Sequence, residues 1–435
     1  MLDTLNKDIP HPEALPVVVQ SDFNSLLEKH AMFLRGQIGG QRAVLQYKDL
    51  SGLNFHNHDL SQADFTGSTL FRADLSLGTY KNACFFACDL RDADVSHTDL
   101  SRTDLRGANL SGANLSGANI SDADLREGRI MQRDQESGLI NRARSGASGA
   151  QTILTGARLA NTNMSGIRAN SADFSDADLS KALMHNANFR SASFEGANLT
   201  QSDFTGSDLT YSNMKHAILS DVILEHTENF GIERDNAVTH EDLGERLDDD
   251  GEGSLHDLLD SHKVWLHTAG QNGTRLDLSN YDLRDIPSIR RYPLTAIRAI
   301  KAAFLNLDLS NSSIQSAILD YSDFRDCYME NIDLRGSSLR NAKLTRANLR
   351  GARLSPLQFT RPDGSYQLNR VNLASADLRF SNIQNVDLRD AILMGADFTH
   401  ADLSYADLRR ADFTGAILDG AIFDHALMDG AILDK

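Results

Sequence analysis

The sequence lacks most of the features that staple large proteins together or attach them to membranes. Its 435 residues include three cysteines, Cys84, Cys88 and Cys327, an odd number and too few for so long a chain, which favours a reducing compartment. Its apolar runs stay well short of the roughly 18 to 20 residues that cross a bilayer. The start of the chain has no basic segment followed by an apolar one. We therefore expect a soluble, cytoplasmic protein without disulfides.

Common catalytic and nucleotide-binding motifs are missing as well. The sequence has no Gly-Lys pair, which excludes a P-loop, and neither G-x-S-x-G nor H-E-x-x-H occurs. His56 and His58 resemble a metal-binding pair, but a five-residue pattern in this region directs His56 outward and His58 inward, so the imidazoles should diverge. The same pattern turns Cys84 outward and Cys88 inward, as packing residues. The sequence thus predicts no catalytic residue, metal or cofactor.

What the sequence has instead is one five-residue word repeated along most of its length. In TDLRGANLSGANLSGANISDADL, residues 103–125, a Leu or Ile recurs at every fifth position, which we call the centre. Two residues earlier stands a small residue, the inner partner. A helix needs an apolar residue about every 3.6 positions and a strand every 2, so a period of five fits neither. A unit this small cannot bury its own apolar face and has to stack on copies of itself.

The words form two arrays with breaks between them. In the first array, the segment 131–152 contains no words and is predicted to loop out, after which the period resumes one position out of phase. In the second array, two further interruptions occur. The runs of centres are 45–130, 154–224, 278–283, 304–359 and 373–433.

The words ADLS, GANLSGANLSGANI, GADF and YADLRRADF give the chain a clear resemblance to pentapeptide-repeat proteins. The resemblance implies an all-β solenoid, a right-handed parallel quadrilateral β-helix with four words per coil and with centre and inner partner pointing inward. Simple packing agrees, because Leu or Phe at the centre fills the axis and a small inner partner leaves room for a tight corner. Coils that pair at about 4.8 Å have open edges only at the ends of a stack.

A helical pattern precedes each array and predicts a short capping α-helix. The two segments align with one residue of slip, which indicates a duplicated module. Asp22 and Ser254 are suitable N-caps, and Ser254 with Asp257 reads as a capping box. For His30 and His262 we expect a buried ring with one nitrogen bonded to backbone, and Trp265 should lie at least partly against the first coil. The residues of the two capping faces are Leu26, Leu27, His30, Phe33, Leu34, Leu258, Leu259, His262, Trp265 and Leu266.

These segments define the predicted domain organisation. In chain order it consists of a flexible N-terminal segment 1–21, a first capping helix and turn 22–44, a first β-helix 45–227 with the loop 131–152, an acidic linker 228–253, a second capping helix and turn 254–276, and a second β-helix 277–435 with inserts 286–302 and 361–370.

The net charge of −17 makes one alternative function worth weighing. Some members of the family that the chain resembles bind DNA gyrase or topoisomerase by presenting an acidic rod of the width of a duplex. Residues 231–273 carry −8 of the charge, however, and residues 274–435 carry only −1. DNA has a charge about every 1.7 Å, so the second array is a poor mimic.

We predict a non-enzymatic scaffold or protein interaction protein of bacterial type that presents a rigid β-helical surface to an unidentified protein partner. A DNA-mimicking modulator of gyrase or topoisomerase is the alternative, and an enzyme with an unrecognised site is a third. No membrane contact is expected, and nucleic acid is a disfavoured partner. The candidate partner contacts, whose ordinary interpretation is a solvated surface excursion, are Arg133, Arg142, Arg144, Arg290, Arg291 and Tyr292.

The C-terminal five-residue words of the sequence predict a dimer. Their inward residues end a stack, and an uncovered coil end is an aggregation hazard. Gyrase-binding members of the family that the chain resembles dimerise through their C-terminal coils, and two-fold pairing is the commonest arrangement of soluble oligomers. We expect a homodimer through roughly residues 413–435, with fraying of the last coil as the alternative. The interface residues would be Leu418, Phe423, Met428 and Leu433.

The five-residue period predicts a far-ultraviolet circular dichroism spectrum dominated by β-structure and turns, with a weak helical signal from the two caps alone. A spectrum with the strong double minimum of a mainly helical protein would contradict the solenoid interpretation.

Overall fold

The structure is a computed structural model, and it divides into two compact units, within Met1–His240 and Glu241–Lys435. Of the helices in the part of the chain that it describes, none is long and apolar enough to span a bilayer. The described residues are 15–128, 131–134, 138–141, 151–239, 244–247, 254–284, 286, 289–290, 292–360 and 364–433.

Regular elements are few in these ranges. The helices are α1, Gln20–Leu34, and α2, Leu255–His267. The strands pair as β1 with β2 and β5 with β6, both antiparallel, and β3 with β4, parallel. Their bounds are Met131–Asp134 (β1), Gly138–Asn141 (β2), Glu245–Arg246 (β3), Tyr281–Asp282 (β4), Leu357–Thr360 (β5) and Tyr366–Asn369 (β6).

The repeated words are joined by single parallel bridges between residues twenty apart. Asp49 pairs with Thr69, and Thr69 pairs with Asp89. The chain therefore returns to the same side after four words, and we call each twenty-residue return a coil. Leu50 N donates to Thr69 O at 2.8 Å, and Thr69 N donates to Lys48 O at 3.0 Å. Because every word repeats this exchange, the backbone polar groups inside a stack of coils are satisfied by the coils on either side.

Centres and inner partners form one apolar core in each unit, as the word pattern predicts. Aromatic centres on one side stack from coil to coil. The rings of Phe65 and Phe85 have centroids 4.7 Å apart, and those of Phe304 and Phe324 are 4.5 Å apart. These separations match the spacing of paired backbones, so the same repeat that pairs the coils also stacks the rings.

The residue two positions after each centre turns the corner with a left-handed backbone. Asn57 has a φ of 57° and Asn385 a φ of 56°. Among the described residues, no Val, Ile or Thr has a positive φ, because a branched Cβ clashes with the backbone in this conformation. The corner position of each word therefore excludes β-branched residues, although the apolar pattern does not identify it.

The two helices begin differently. α2 follows Ser254, whose hydroxyl accepts a hydrogen bond from Asp257 N at 3.3 Å, so the predicted N-cap is confirmed. The prediction that Asp22 caps the first helix is wrong, because α1 starts at Gln20 after Val19, which makes no side-chain cap. Asp22 lies instead in the first turn, where its carboxylate faces the positive end of the helix dipole.

The open edge of the first coil, which no earlier coil pairs with, is covered by residues that precede and begin α1. Val17 forms a parallel bridge with Asp49, so residues 15–19 are ordered and only 1–14 of the predicted flexible segment lie outside the described residues. The Gln20 side chain both donates to Asn54 O and accepts from Asn54 N, at 3.1 and 3.0 Å. A primary amide thus takes the place of a missing coil at this edge.

The second unit repeats this arrangement, which supports the duplication. Strand β3 pairs in parallel with β4 in the first coil of the unit, just as Val17 pairs in the first. Leu247, which follows β3, packs against the second core. Each module therefore consists of an extended segment, a helix, a Gly-containing turn and a stack of coils.

The first stack extends beyond its predicted end at residue 227. Parallel bridges continue at Glu228, Glu233 and Val238, within the predicted acidic linker 228–253. The centres of these words are Asn229, Arg234 and Thr239, so an apolar pattern could not identify them. A final coil has a neighbour on one side only, which allows polar centres there.

Of the two inserts predicted in the second unit, one is absent and the other begins earlier than predicted. Residues 286–302 are not an insert: Asp282 pairs with Ala303, twenty-one residues on, so a single residue is added. Leu294 and Ala299 are buried centres. Because Ala299 is small, the sequence shows no large apolar residue at that centre, and the five-residue period was missed there. The insert predicted at 361–370 begins earlier, at β5, and Phe359 is an exposed strand residue rather than a centre.

The turn geometry predicts a specific pair of outcomes at Asn385, which is exposed and left-handed. Asn385→Val should lower the free energy of unfolding by about 1–2 kcal/mol, the cost of a left-handed conformation for an ordinary residue. Asn385→Gly should leave it nearly unchanged, since Gly adopts this conformation freely. Chemical denaturation measures both variants, and equal stabilities would contradict the assignment.

Candidate interaction surfaces

The residues that most resembled a metal site do not converge. His56 Nδ1 lies 2.8 Å from Ser76 Oγ, whereas the His58 ring donates to its neighbour's carbonyl, His56 O, at 2.7 Å. The prediction that His58 points inward is wrong, because this first-coil corner has a coil on one side only and the polar ring turns to solvent. Within the described parts of the chain, no three or more His, Cys, Asp or Glu side chains are placed to bind a metal.

The cysteines act as packing residues. Cys88 is buried, and its thiol donates to Phe65 O at 2.9 Å. Burial raises the pKa of Cys88 far above its usual value, so the reactive thiolate is disfavoured. Cys88 is therefore a packing residue rather than a nucleophile. Cys84 is half-buried, with its sulfur 3.2 Å from Thr66 Oγ1.

His30 and His262 occupy the same place in the two caps and make the same bonds. Both rings are buried. His30 Nδ1 accepts from Ala43 N at 3.0 Å, and its Nε2 lies 3.1 Å from Ser61 O. His262 Nδ1 accepts from Leu276 N, and its Nε2 lies near Thr295 O, both at 3.1 Å. The expectation of one backbone bond is exceeded, since both nitrogens of each ring tie a helix to its first coil.

The aromatic residue three positions after each histidine stacks on it. Phe33 lies on His30 with ring centroids 5.7 Å apart, and Trp265 lies on His262 at 5.6 Å. Trp265 and Phe33 are half-buried, as are Leu26, Leu34, Leu258 and Leu266 of the predicted capping faces. Leu27 and Leu259 are buried in the cores. We call each histidine, with its two backbone bonds and its stacked ring, a histidine latch.

Nine described arginines of the arrays neutralise a carboxylate of their own word. Arg409 donates from Nε and Nη2 to the two oxygens of Asp407 at 2.8 and 2.7 Å, which holds the pKa of Asp407 below its usual value. Such fork-shaped pairs are among the strongest in proteins. The pairs are Asp89–Arg91, Asp104–Arg106, Asp124–Arg126, Asp282–Arg284, Asp323–Arg325, Asp333–Arg335, Asp377–Arg379, Asp387–Arg389 and Asp407–Arg409.

Words with Ser or Thr in place of Arg engage the carboxylate in another way. Asp99 Oδ1 accepts from Ser101 N at 3.0 Å and from its hydroxyl at 2.6 Å. Asp203 is held in the same way by Thr205. The aspartates that precede the centres, such as Asp99 and Asp203, are therefore bonded within their own words.

The structure describes only some of the predicted partner contacts. The first-array break loops out as predicted, since Asn109 pairs with Ile153 across it. Arg142, Arg144 and Arg291 lie outside the described residues, as does the side chain of Arg133, whose backbone is in β1.

The two described contacts of the second array are engaged within the unit. Arg290 pairs with Asp308 at 2.7 Å. Tyr292 is half-buried against the second core, and its hydroxyl lies 3.0 Å from His256 Nδ1. Tyr292 therefore attaches the start of the array to α2, which does not fit a free contact residue.

The hairpin β5–β6 is a surface that sequence analysis did not single out. The coils pair across it, since Ser338 bridges Asn372. Its apolar side chains face solvent: Phe359 is 42 % exposed, Leu368 54 % and Tyr366 70 %. A β-hairpin with exposed apolar residues is typical of a binding element.

Two arginines hold the chain where it re-enters an array. Arg370, directly after the hairpin, donates from Nε to Asp390 O, and its Nη2 lies 3.4 Å from Ala391 O. Arg275, after the turn that follows α2, does the same with Ala296 O and Ile297 O. Both precede the first inner partner after an interruption, which is the sequence signal that could have identified them.

The last described coil, 414–433, has an apolar end. Leu418, Phe423 and Met428 are only partly buried against the second core, and Leu433 is 43 % exposed. Outward residues beside them, such as Ile432, are also exposed. This coil differs from the last coil of the first unit, whose later centres are polar.

A search of the curated proteins finds no match to the chain. Solved structures include QnrB1, a plasmid-mediated fluoroquinolone resistance protein, at 19 % identity over 45 % of this chain and 92 % of that one, with a TM-score of 0.25. HetL, a pentapeptide repeat protein involved in heterocyst differentiation regulation from the cyanobacterium Nostoc sp. strain PCC 7120, matches at 19 % identity over 93 % and 94 %, with a TM-score of 0.19.

Rfr23, a pentapeptide repeat protein from the cyanobacterium Cyanothece 51142, matches at 29 % identity over 30 % of this chain and 90 % of that one, with a TM-score of 0.16. At such TM-scores these structures do not bear on what the chain binds. The family model for pentapeptide repeats matches in eight copies, over residues 41–76, 88–126, 152–190, 187–225, 317–355, 367–395 and 391–430. Since these segments make up more than half of a chain built of paired five-residue words, the protein belongs to the pentapeptide-repeat family.

Proposed function

We propose that this protein is a non-enzymatic scaffold that binds a protein partner, and that its arrays are right-handed parallel β-helices of square cross-section. Four words in each twenty-residue coil and parallel bridges on successive words support this cross-section. Cys88 and His30, two described side chains that could have done chemistry, are buried in packing and backbone bonds. What the arrays offer to other molecules is therefore a rigid surface.

The observation that carries the proposal is the exposure of Phe359, Tyr366 and Leu368 on β5–β6. An apolar hairpin held in place by a rigid stack has little conformational entropy left to lose on binding. Exposed aromatic residues supply much of the binding energy in protein interfaces. The partner that fits such a hairpin is a folded protein with an apolar recess.

Mimicry of DNA is less well supported. A mimic needs rows of unneutralised carboxylates, because duplex DNA has a charge about every 1.7 Å. In this chain the aspartates that precede the centres are bonded by Arg, Ser or Thr of the same word, as in Asp407–Arg409 and Asp99–Ser101. Arg neutralises the carboxylate in words of the first kind, and Ser or Thr holds it in place in words of the second kind.

Affinity capture from the native extract, followed by in vitro binding of each captured protein, tests the proposal. Wild-type protein should bind a specific partner, and the double variant Tyr366→Ser, Leu368→Ser should weaken that binding at least about tenfold through the loss of two apolar anchors. Tyr321→Ser is the matched control, since Tyr321 is an exposed aromatic residue on an array turn.

Three results would count against this interpretation. The first is that no purified partner binds, and the second is that binding ignores the hairpin variant. The third is that the purified chain inhibits gyrase supercoiling at stoichiometric concentration, which would favour the DNA mimic. A variant without residues 131–152, assayed in parallel, shows whether the first-array loop contributes.

We also propose that the apolar end of coil 414–433 is covered by a second copy of the chain. The contrast between the two final coils supports this proposal. At the end of the first stack, Asn229, Arg234 and Thr239 are exposed polar centres, which suit a surface that stays in water. The corresponding places in the second stack hold Phe423 and Met428 with their neighbours, and a two-fold axis would let identical ends cover one another.

Light scattering at micromolar concentration should give about twice the monomer mass of 47.8 kDa. Phe423→Asp with Met428→Asp should restore the monomer, because burying four carboxylates at a two-fold contact is costly. Asn229→Asp with Thr239→Asp, on the polar end of the first stack, should leave the dimer intact. A wild-type monomer would eliminate this proposal.

A further inference from the structure

The geometry of the histidine latches works with the neutral ring only. Nδ1 of His30 faces the N–H of Ala43, and Nδ1 of His262 faces that of Leu276, so each Nδ1 has to accept. Nε2 then carries the single ring proton and donates to a carbonyl, Ser61 O or Thr295 O. A second proton could only go to Nδ1, where it would meet another N–H at about hydrogen-bond distance.

We propose that the latches make both caps acid-sensitive: protonation of His30 and His262 turns the accepting nitrogen into a donor and releases α1 and α2 from their first coils. Two copies of the same arrangement, each with both ring nitrogens on backbone and an aromatic ring stacked alongside, carry the proposal. A histidine that only filled space would not need a backbone donor on one nitrogen and a backbone acceptor on the other.

The surroundings of each ring determine the direction of the response. Burial lowers the pKa of both His30 and His262 from 6.5. At His30 the Asp59 carboxylate opposes this shift and Arg42 adds to it, while at His262 the nearby charge is Arg275. The closed cap therefore binds protons less well than the open one.

The effect of pH on cap closure follows from this difference. The stabilisation is complete above pH 6.5, the value for the released ring, and is lost as the pH falls through the lowered pKa of the closed cap. Between 6.5 and that pKa, each pH unit weakens closure about tenfold per latch, and below that pKa the loss levels off.

Release would uncover a surface that is otherwise hidden. Phe23 of α1 lies on Phe55 of the first coil with ring centroids 4.4 Å apart. An opened cap would expose Phe55 and the backbone groups of Ala43 and Ser61. An uncovered coil edge of this kind pairs readily with another chain, so acid would convert a closed end into an associating one.

Trp265 is the only tryptophan of the chain and stacks on His262, so its fluorescence reports on that latch. On titration from about pH 8 to pH 4, the emission should fall and shift to the red, because an imidazolium quenches indole and an opened cap exposes it. The midpoint should lie below 6.5, and the change should reverse at neutral pH. His262→Gln should abolish the transition, whereas His56→Gln, on an exposed ring, should preserve it.

The duplication supplies a matched probe for the other cap. In the double variant Trp265→Phe, Phe33→Trp, the indole lies on His30, since Phe33 is the stacked ring there. Its titration should be abolished by His30→Gln and unaffected by His262→Gln. If each indole titration depends only on its own histidine, the transitions are local to the latches and are not an unfolding of the whole chain.

Hydrogen exchange on the wild-type protein decides the case even where a glutamine variant loses its cap at neutral pH. After correction for the intrinsic rate, Ala43 N and Leu276 N should lose protection in acid, while Leu90 N, which donates to Asn109 O deep in the first stack, stays protected. Flat Trp265 emission down to pH 4, a transition that persists in His262→Gln, or simultaneous loss of protection at all three amides would overturn the proposal.

Discussion

The structure depends on one interaction, the exchange of backbone hydrogen bonds between a residue and the residue twenty positions later. Thr69 takes part in it on both sides, with Asp49 and with Asp89. Any segment that returns the chain to this register can be inserted without disturbing the stack. The loop before Ile153 and the hairpin before Asn372 are such segments, and the clamp by Arg370 shows how the chain is held where it returns.

A stack held together in this way has to deal with its open ends, and the chain does so in three ways. The two starts are covered by helices whose histidines and, in the first unit, Gln20 bond the free backbone groups. The last coil of the first stack replaces apolar centres by polar ones such as Arg234. The last described coil of the second stack keeps Phe423 and Met428, which are suited to contact with another molecule.

The use of many side chains within the stack itself limits the chemistry that the arrays can present. Inward positions are taken up by packing, and many outward aspartates are bonded within their own word, as Asp407 is by Arg409. What remains for recognition are the elements that leave the stack and the ends where it stops. The exposed hairpin β5–β6 belongs to the first kind, and coil 414–433 belongs to the second.

By itself the sequence determined the five-residue word, the two arrays, the excursion before Ile153 and the capping helices, because burial of Leu and Phe at every fifth position leaves a pattern that a single chain displays. The packing role of His30 and His262 could be predicted in the same way. Polar centres such as Arg234 and the small centre Ala299 carry no apolar signal. The end of the first stack and the start of the second could therefore not be predicted from the sequence. Only the tertiary structure decided that both nitrogens of each histidine are bonded, that Tyr292 attaches to α2 and that Phe359 lies in an exposed hairpin. Those facts depend on which backbone groups coil pairing leaves unpaired, and residues far apart in sequence decide that.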